Sequence, residues 1–305
     1  MPNQAYDIII IGSGPAGMTA AVYAQRAGKS TLVLEKTAFG GQITHSPKVE
    51  NYPGFLEMSG NEFAEKLMDQ ALNQGAEIEL AEAQRIVSTD GGFTVVTDAG
   101  DFFGKAVILA TGSKHRTLGL DREEELVGNG VSYCAVCDGA FYAGRDIAVI
   151  GGGNSALQEI ILLADRCAHI TVVQNLAFLT GEQKLMEKVQ QLPNVDIIYN
   201  TVVVGLLGDD ELTGIQLKNE QTGEESVLNC DGIFVAIGQV PENEPFQDVV
   251  ALNEYGYIFS GEDCLTTTEG IFVAGDCRTK AVRQITTATG DGAVAAVAAC
   301  RYLDR

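Results

Sequence analysis

Two cysteines near the middle of the chain have the type and spacing for reversible redox chemistry. Cys134 and Cys137 are separated by two residues and followed at once by Asp138, in the run Ser132-Tyr-Cys-Ala-Val-Cys-Asp138. Cysteines at this spacing can close and open a disulfide without a large movement of the backbone. The sequence therefore predicts a redox-active pair at the centre of the chain.

The same C-x-x-C spacing also occurs as half of a zinc site. No second C-x-x-C is present, and the three histidines (His45, His115 and His169) form no pair beside it. No metal site is therefore expected, and an odd number of cysteines does not make a secreted disulfide framework. The other cysteines are interpreted as packing residues: Cys167, Cys230, Cys264, Cys277 and Cys300.

A glycine-rich turn near the start of the chain predicts a nucleotide-binding β-α-β unit. An apolar strand over 6–11 ends at the motif Gly12-Ser-Gly-Pro-Ala-Gly17, a helix follows to about residue 27, and a second strand covers 30–35. The glycines permit the tight turn, the approach of a pyrophosphate and helix–strand packing, with phosphate at the helix N-terminus. Glu35 lies 23 residues after Gly12, where an acid accepts hydrogen bonds from an adenosine ribose.

A second glycine turn, Gly151-Gly-Gly-Asn-Ser-Ala156, follows the cysteine pair. It has the same flanks, with a strand over 147–150 before it, a helix over 155–165 and a strand over 170–173 after it. A redox-capable cysteine pair between two nucleotide-binding units suggests electrons passing between a flavin and a disulfide, in either direction.

The remaining pattern predicts the other elements and the domain boundaries. They are a turn-rich loop at 40–54, an amphipathic helix over 61–75, short antiparallel strands from 77 to about 103, strands over 106–110, 195–204, 211–218 and 231–237, a strand that enters an acid-containing turn within 270–276, and a closing helix over 286–302. Polar residues 114–125 indicate one domain crossing, and Gly238-Gln-Val-Pro241 with Pro245 indicates the second. We therefore predict an α/β fold of two Rossmann-like domains, each with three ββα layers. The first comprises 1–115 and 247–305, and the second, 116–246, is inserted into it.

The charge balance excludes several classes of partner. The formal net charge is −21, from 41 acidic and 20 basic residues, which argues against nucleic acid and anionic membranes as partners. No run of 18 apolar residues exists, so no integral membrane segment is expected. The N-terminus lacks the basic flank and apolar core of a signal peptide, which predicts a cytoplasmic protein.

With these pieces in this order, the chain resembles the low-molecular-weight thioredoxin reductases over essentially its full length. The motifs that carry the resemblance are Gly12-Ser-Gly-Pro-Ala-Gly17, Gly40-Gly41-Gln42, Glu50-Asn-Tyr-Pro-Gly54, Ala110-Thr-Gly112, Cys134-Ala-Val-Cys-Asp138, Gly151-Gly-Gly-Asn-Ser-Ala156 and Ala274-Gly-Asp276. The resemblance implies a homodimer in which an FAD domain surrounds a pyridine-nucleotide domain that carries the disulfide. The FAD-binding residues that it implies are Gly12, Gly14, Pro15, Ala16, Gly17, Glu35, Lys36, Gly41, Gln42, Asn51, Ala110, Thr111, Gly112, Gly275, Asp276, Arg283, Gln284 and Ile285.

The resemblance also assigns the catalytic roles. Cys137 would face the flavin, and Cys134 would attack the disulfide of a thioredoxin-like or other dithiol/disulfide protein. Asp138 would supply or take the proton that a leaving thiolate needs, because the thiolate is the reactive form of cysteine.

The second glycine turn departs from the family where the nucleotide phosphate is held. NADPH-dependent members follow the second strand with His-Arg-Arg and a further Arg, whereas this chain reads Val173-Gln-Asn-Leu-Ala-Phe-Leu-Thr180. Residues 116–246 contain 7 Lys and Arg against 20 Asp and Glu. Loss of a charge-assisted phosphate clamp costs about 2–5 kcal/mol, so NADPH is not expected to be the donor.

The residues expected to hold another nucleotide are Gly151, Gly153, Asn154, Ser155, Ala156 and Gln174. A smaller departure is Arg283-Gln-Ile285 in place of Arg-Gln-Ala, which puts a bulky residue near the flavin.

Three hypotheses remain open. The first is an FAD-dependent disulfide oxidoreductase that does not use NADPH and holds a second FAD in the vacated site or exchanges electrons with a ferredoxin; the acidic chain disfavours an acidic ferredoxin. The second is an NADPH-dependent thioredoxin reductase with an atypical clamp that draws on Lys184 and Lys188. The third is a non-catalytic flavin redox sensor, against which the intact cysteine pair and Asp138 count.

Overall fold

The computed structural model describes residues 5–46 and 48–305. Its strands are β1 Ala5–Ile11, β2 Thr31–Glu35, β3 Glu77–Leu80, β4 Ala83–Thr89, β5 Gly92–Thr97, β6 Gly100–Leu109, β7 Lys114–His115, β8 Val131–Ser132, β9 Asp146–Ile150, β10 His169–Val173, β11 Val195–Ile198, β12 Thr201–Leu207, β13 Gly214–Asn219, β14 Glu225–Asn229, β15 Gly232–Val235, β16 Gln239–Val240 and β17 Ile271–Val273. Its α-helices are α1 Pro15–Arg26, α2 Gly60–Asn73, α3 Ala135–Asp138, α4 Asn154–Ala164, α5 Gln183–Gln190 and α6 Ile285–Leu303. Short 3-10 helices cover Gly41–His45, Gly139–Tyr142 and Glu244–Phe246. Within these described ranges, no helix is both long enough and apolar enough to span a membrane.

The chain divides into two compact units. Of the described residues, unit 1 comprises 5–46, 48–114 and 240–305, and unit 2 comprises 115–239. The chain passes between them through β7 and β16, which pair with each other. The domain boundaries predicted from the sequence lie between residues 115 and 116 and between residues 246 and 247.

Residues after the return crossing belong to unit 1 because their side chains are built into its core. Asn243 is fully buried, and its Nδ2 donates hydrogen bonds of 2.9 Å to the carbonyls of Gly256 and Cys277. Its Oδ1 accepts a 2.8 Å hydrogen bond from Thr111 Oγ1. Phe246 is also buried in the unit 1 core.

Unit 1 is built on one sheet with the strand order β3-β2-β1-β6-β5-β4. β3, β2, β1 and β6 are parallel, and β17 adds a further parallel strand beside the C-terminal half of β6. The N-terminal half of β6 continues into the antiparallel meander of β5 and β4. Because these strands are parallel, the carboxyl ends of β1, β2, β6 and β17 lie at the same edge of the sheet. The loops that carry the cofactor motifs follow these ends.

The alternation of β1 explains the layers of unit 1. Ile8 and Ile10 pack into the cluster formed with α1 and α6, whereas Ile9 and Ile11 pack into the cluster on the meander side. Successive side chains of a strand point to opposite faces, so a strand that is apolar throughout is covered on both sides. Unit 1 thus has a helical layer, a parallel sheet and an antiparallel layer.

Unit 2 repeats this plan. Its parallel sheet has the order β11-β10-β9-β15-β8, and β12, β13 and β14 form a separate antiparallel sheet. Ile147 and Val149 pack against α4, while Ala148 and Ile150 pack toward the antiparallel strands. The predicted α/β fold class with two Rossmann-like units is confirmed.

Two local predictions are wrong, and one strand was missed. Residues 77–80 form a strand that pairs parallel with β2 rather than antiparallel with its sequence neighbours. The single strand predicted over 195–204 is two strands in different sheets, because Asn200 adopts a left-handed backbone (φ 53°) between them. β14 was not predicted at all, since its sequence is polar and largely exposed.

Candidate active site

The cysteine pair lies where β8 leads into the short helix α3. Cys134 is the N-cap residue of that helix, and Cys137 lies within it. The two residues form a disulfide. Both are half-buried, whereas Val136 between them is exposed. The disulfide therefore lies at a helix start and is partly accessible to solvent in unit 2.

Asp138 is connected to the disulfide through Ser132. Ser132 Oγ donates a 2.6 Å hydrogen bond to Asp138 Oδ2 and accepts a 3.1 Å bond from the Cys134 amide. The other carboxylate oxygen, Oδ1, is buried and has no hydrogen-bond partner among the described residues. Burial raises the pKa of Asp138, and the Ser132 bond opposes that rise. The neutral acid is thereby favoured, which suits a group that must give a proton to a thiolate.

The first glycine turn is shaped for a ligand that approaches the backbone closely. Gly12 has a φ of 107°, and a Cβ there would lie 2.3 Å from the carbonyl oxygen of Ala110. A Cβ at Gly17 would lie 1.9 Å from the Gly12 carbonyl oxygen. Helix α1 starts at Pro15, and its N-cap residue Gly14 provides no side-chain cap, so the first amides remain free for a phosphate.

Glu35 ends β2 and organises this turn. Its Oε2 accepts hydrogen bonds from the Ser13 amide (3.0 Å) and the Ser13 hydroxyl (2.7 Å). Its Oε1 accepts bonds from the amides of Lys36 (2.9 Å) and Thr37 (3.1 Å). The same Ser13 hydroxyl accepts a 3.2 Å bond from the Gly40 amide. Glu35 therefore holds the loops together, and its contact with a ribose stays a prediction.

Several other predicted FAD residues lie around the same cradle. Gly41 begins a 3-10 helix opposite Gly14 (3.1 Å from a Cβ at Gly41 to the Gly14 Cα), and the exposed Gln42 follows it. Lys36 forms a 2.6 Å ion pair with Glu242. Ala16 packs against Gly275, where a Cβ would lie 2.9 Å from that of Ala16. Gly112 follows the β6 end with a left-handed backbone (φ 68°).

The C-terminal part of unit 1 supplies the remaining predicted FAD residues. Asn51 Nδ2 donates a 3.1 Å hydrogen bond to Gln284 Oε1, and Gln284 is the N-cap of α6, which begins at Ile285. The Arg283 guanidinium lies 4.2 Å from the centroid of the Tyr257 ring, and its Nε donates to the Asp276 carbonyl at 3.3 Å.

Asp276 carries an unsatisfied buried oxygen. It follows β17, and its Oδ1 is buried without a hydrogen-bond partner in the described part of the chain. Burial raises the pKa of this carboxyl, while Lys280 and Arg283 oppose the rise. A buried polar atom in this state indicates a missing partner such as a ligand hydroxyl.

The second glycine turn is built like the first. Gly151 has a φ of 125°, and a Cβ there would lie 2.5 Å from the Ala236 carbonyl oxygen. Helix α4 starts at Asn154, followed by Ser155 and the buried Ala156, and its N-cap Gly153 provides no side-chain cap.

The residues after β10 form a loop that is tied to this turn; we call residues 174–182 the clamp loop. Gln174 is buried, packs on Gly152, and donates from Nε2 to the Phe178 carbonyl at 2.9 Å. The Thr180 amide donates to the Gly152 carbonyl at 2.8 Å, and the Glu182 amide donates to Asn154 Oδ1 at 2.7 Å.

The clamp loop offers no positive charge. Glu182 is its only charged residue, and Leu176 and Phe178 are exposed apolar side chains. The two lysines considered as substitutes, Lys184 and Lys188, are exposed on α5, and no ion pair joins either to another described residue. The loop is thus an ordered segment without a cation.

Comparison with known proteins decides the family. The model of the pyridine nucleotide-disulphide oxidoreductases matches residues 6–292. The chain belongs to this family. Thioredoxin reductases of Listeria monocytogenes and Bacillus subtilis are each 41% identical to it, over 99% of this chain and 95% and 96% of their own lengths. The crystal structure of thioredoxin reductase from Streptococcus pyogenes covers 99% of both chains with a TM-score of 0.94 and 38% identity.

Within the family, the chain is of the low-molecular-weight thioredoxin reductase type, a flavin-dependent disulfide oxidoreductase. Its unit 1 cradle fits FAD on structural grounds. Any Cβ at Gly12 or Gly17 would collide with backbone, the start of α1 is uncapped, and Asp276 Oδ1 lacks a partner. These are the features that a dinucleotide with a polyhydroxylated chain requires.

Sequence reasoning missed residues that act through others. Ser132, which joins Asp138 to Cys134, carries a spacing signal two residues before the first cysteine. Asn243 carries none, because its partners Thr111, Gly256 and Cys277 are distant from it in sequence. Glu159 on α4 was also missed, although its Oε2 is buried without a partner among the described residues and burial raises its pKa to about 7.

Proposed function

We propose that this disulfide oxidoreductase exchanges electrons between FAD and a thioredoxin-like protein through Cys134–Cys137, and that NADPH is not its donor. The observation that carries the second part is the clamp loop, in which uncharged side chains occupy the segment where NADPH-dependent members place arginines. A ribose 2′-phosphate buried without a cation loses about 2–5 kcal/mol of binding, or on the order of 30- to 4,000-fold in affinity.

In the proposed reaction, the Cys134 thiolate attacks one sulfur of the partner disulfide and releases the other as a thiolate. The Cys137 thiolate then attacks Cys134, which re-forms the Cys134–Cys137 disulfide and frees the second partner thiol. Asp138, whose pKa is raised by burial, gives its proton to a departing thiolate and recovers one when a thiol is deprotonated. When bound, FAD supplies two-electron transfer to or from this dithiol pair. The same steps run in reverse if partner thiols are the reductant.

The surface beside the disulfide supports a protein partner. Val136 is 57% exposed and Phe141, three residues after Asp138, is 41% exposed. Apolar side chains of this size next to a reactive disulfide provide a contact for another protein. The relatives are named thioredoxin reductases, so a thioredoxin-like dithiol protein is the proposed partner.

We further propose a cytoplasmic homodimer. The dimer rests on likeness to the family. The location rests on chemistry, because five of the seven cysteines are buried free thiols, as expected in a reducing compartment.

A second FAD in unit 2 is the proposed occupant of the vacated site. The glycine turn at Gly151 and the uncapped start of α4 remain suited to a pyrophosphate. The adenylate of FAD has no 2′-phosphate, so it needs no arginine clamp. The exposed Leu176 and Phe178 offer apolar area to an aromatic ring.

Anaerobic titration of the purified protein with NADPH, followed by flavin absorbance, tests the donor. We expect no bleaching with NADPH, and bleaching when dithiothreitol reduces the flavin through Cys134–Cys137. Prompt bleaching at micromolar NADPH would overturn the proposal and restore an ordinary NADPH-dependent enzyme. Bleaching by neither reagent would indicate a flavin sensor instead of an enzyme.

Flavin content per chain tests the second FAD. We expect about two flavins per chain, and about one in Gly151→Ala, whose new Cβ would meet the Ala236 carbonyl at 2.5 Å. One flavin per chain in the unchanged protein, with no loss in the variant, would remove the second FAD from the proposal without affecting the disulfide chemistry.

A further inference from the structure

A buried ionic cluster lies beneath the turn that carries Asp276. Asp291, in the middle of α6, receives a bidentate pair of hydrogen bonds from Arg278, at 2.9 Å to Oδ2 and 2.8 Å to Oδ1. Lys280 Nζ donates to Oδ2 at 2.8 Å, and so does the Gly275 amide at 3.0 Å. The side chains of Arg278, Lys280 and Asp291 are 4%, 6% and 10% exposed.

This cluster adjoins the FAD cradle on two sides. Gly275, whose amide it holds, immediately precedes Asp276 and packs against Ala16 of the first glycine turn. The next residue of α6, Gly292, approaches the Ala16 carbonyl so closely that a Cβ would lie 2.2 Å from it. Asp291 therefore fixes the Asp276 turn and α6 to the start of α1, where the dinucleotide binds.

The charges of the cluster do not cancel. Two cations share one carboxylate, so the group carries one positive charge in excess, in a place with little solvent to screen it. A buried pair normally matches its charges because an uncompensated charge is costly. A positive excess at this position indicates that a negative group completes it, and the bound dinucleotide is such a group. The nearby Asp276 carboxyl interacts with Lys280, but burial raises its pKa and so weakens the compensation that it offers.

We propose that Lys280 supplies the unmatched charge that anchors FAD and favours its reduced form, and that Asp291 is the residue that positions Lys280 and the Asp276 turn. Two-electron reduction of a flavin with uptake of one proton adds one negative charge to it, whether the two electrons come from the Cys134–Cys137 dithiol or from another donor. A fixed cation nearby therefore stabilises the reduced form over the oxidised one. This inference concerns unit 1 and does not depend on which donor or partner the enzyme uses.

The test compares Lys280→Met with Lys105→Met. Both remove one lysine from unit 1, but Lys105 is exposed and paired with Asp7 on the surface. The variant Lys280→Met keeps the Arg278–Asp291 bidentate bond, so the turn stays in place. We expect it to release FAD about tenfold more readily and to shift the flavin reduction equilibrium about tenfold toward the oxidised form, equivalent to about 30 mV for a two-electron couple. The readouts are the FAD dissociation constant and the midpoint potential against a reference dye. Equal values in the two variants would overturn the role of Lys280.

Asp291→Asn separates positioning from charge. If charge alone mattered, this variant would bind FAD more tightly, because the loss of one negative charge makes the cluster more positive. We expect the opposite, a roughly 10- to 100-fold weaker retention of FAD, by analogy with the loss of the residues that orient the ligands of a metal site. Unchanged or tighter FAD binding would overturn the positioning role. The Lys280→Met comparison gives its result whether or not Asp291→Asn folds.

Discussion

Ser132 joins the backbone of one redox cysteine to the carboxyl that follows the other. Its hydroxyl donates to Asp138 Oδ2 at 2.6 Å and accepts from the Cys134 amide at 3.1 Å. One side chain therefore sets the orientation of the Asp138 carboxyl relative to Cys134. In the proposed mechanism, this single hydroxyl links the opening of the disulfide to the transfer of the proton.

Asp138→Asn is expected to lower the rate at which dithiothreitol reduces the flavin by about 10²- to 10⁴-fold, because an amide cannot exchange the thiol proton. Stopped-flow absorbance measures this rate under anaerobic conditions. Asp165→Asn is a matched control, since Asp165 is an exposed acid of unit 2 at the end of α4. A rate for Asp138→Asn equal to that of the control would exclude Asp138 from proton transfer.

Ser132→Ala is expected to shift the pH dependence rather than to abolish the reaction. The Ser132 hydrogen bond lowers the pKa of Asp138 against the effect of burial. Its loss raises that pKa further, so the limb of the pH–rate profile that reports Asp138 ionisation moves to higher pH. The profile of dithiol-driven flavin reduction measures the shift. A shift to lower pH would contradict the assigned direction.

Glu159→Gln is expected to stabilise the protein at high pH only. Burial raises the pKa of Glu159 from 4.5 to about 7, so the folded state favours the protonated acid. This contribution is fully present below pH 4.5 and is lost as the pH rises through about 7. Above that pH, the amide avoids the cost of a buried charge, which is on the order of 3 kcal/mol. Urea unfolding below pH 4.5 and above about pH 7 measures the difference in the free energy of unfolding between the variant and the unchanged protein. The exposed Glu187→Gln is the control. Equal stabilisation at both extremes would contradict the burial of this carboxyl.

The double variant Asn175→Arg and Leu176→Arg is expected to gain NADPH affinity, by roughly 30-fold or more, because it returns cations to the segment that follows β10. Isothermal titration with NADPH and with NADH measures the gain, which should be confined to the phosphorylated nucleotide. Gln191→Arg with Gln221→Arg adds the same charge at exposed positions of unit 2. If that control gains as much, the effect is general electrostatics and not a clamp.

The sequence was most informative where chemistry and backbone geometry coincide. Both glycine turns could be predicted because their backbone geometry requires glycine. Gly12 and Gly151 occupy left-handed conformations in close contact with a neighbouring segment, and few other residues can do so. The cysteine pair was equally visible, since its function depends on local spacing. The two Rossmann-like units followed from strands that end at these turns.

Long-range pairing was not predictable from the same signals. The alternation of residues 77–80 is the same in a parallel and an antiparallel strand, and only the contact with β2 distinguishes them. The clamp loop was recognised by its missing arginines, but its bonds to Gly152 and Asn154 depend on folding. The Asp291 cluster joins residues 275–291, and no periodic pattern marks a buried acid between two cations.

The insertion of unit 2 has a consequence for synthesis on the ribosome. β6 needs β17 as a neighbour, with Val107 beside Ile271, and all of unit 2 is translated between them. At about 5–20 residues per second, the first half of unit 1 waits on the order of ten seconds with one flank of β6 and the α6 face of α1 uncovered. Unit 2 is continuous in sequence and can fold during that interval. The nascent chain can therefore complete unit 2 first. The FAD cradle forms later, because it needs residues 275–285, which are translated after unit 2.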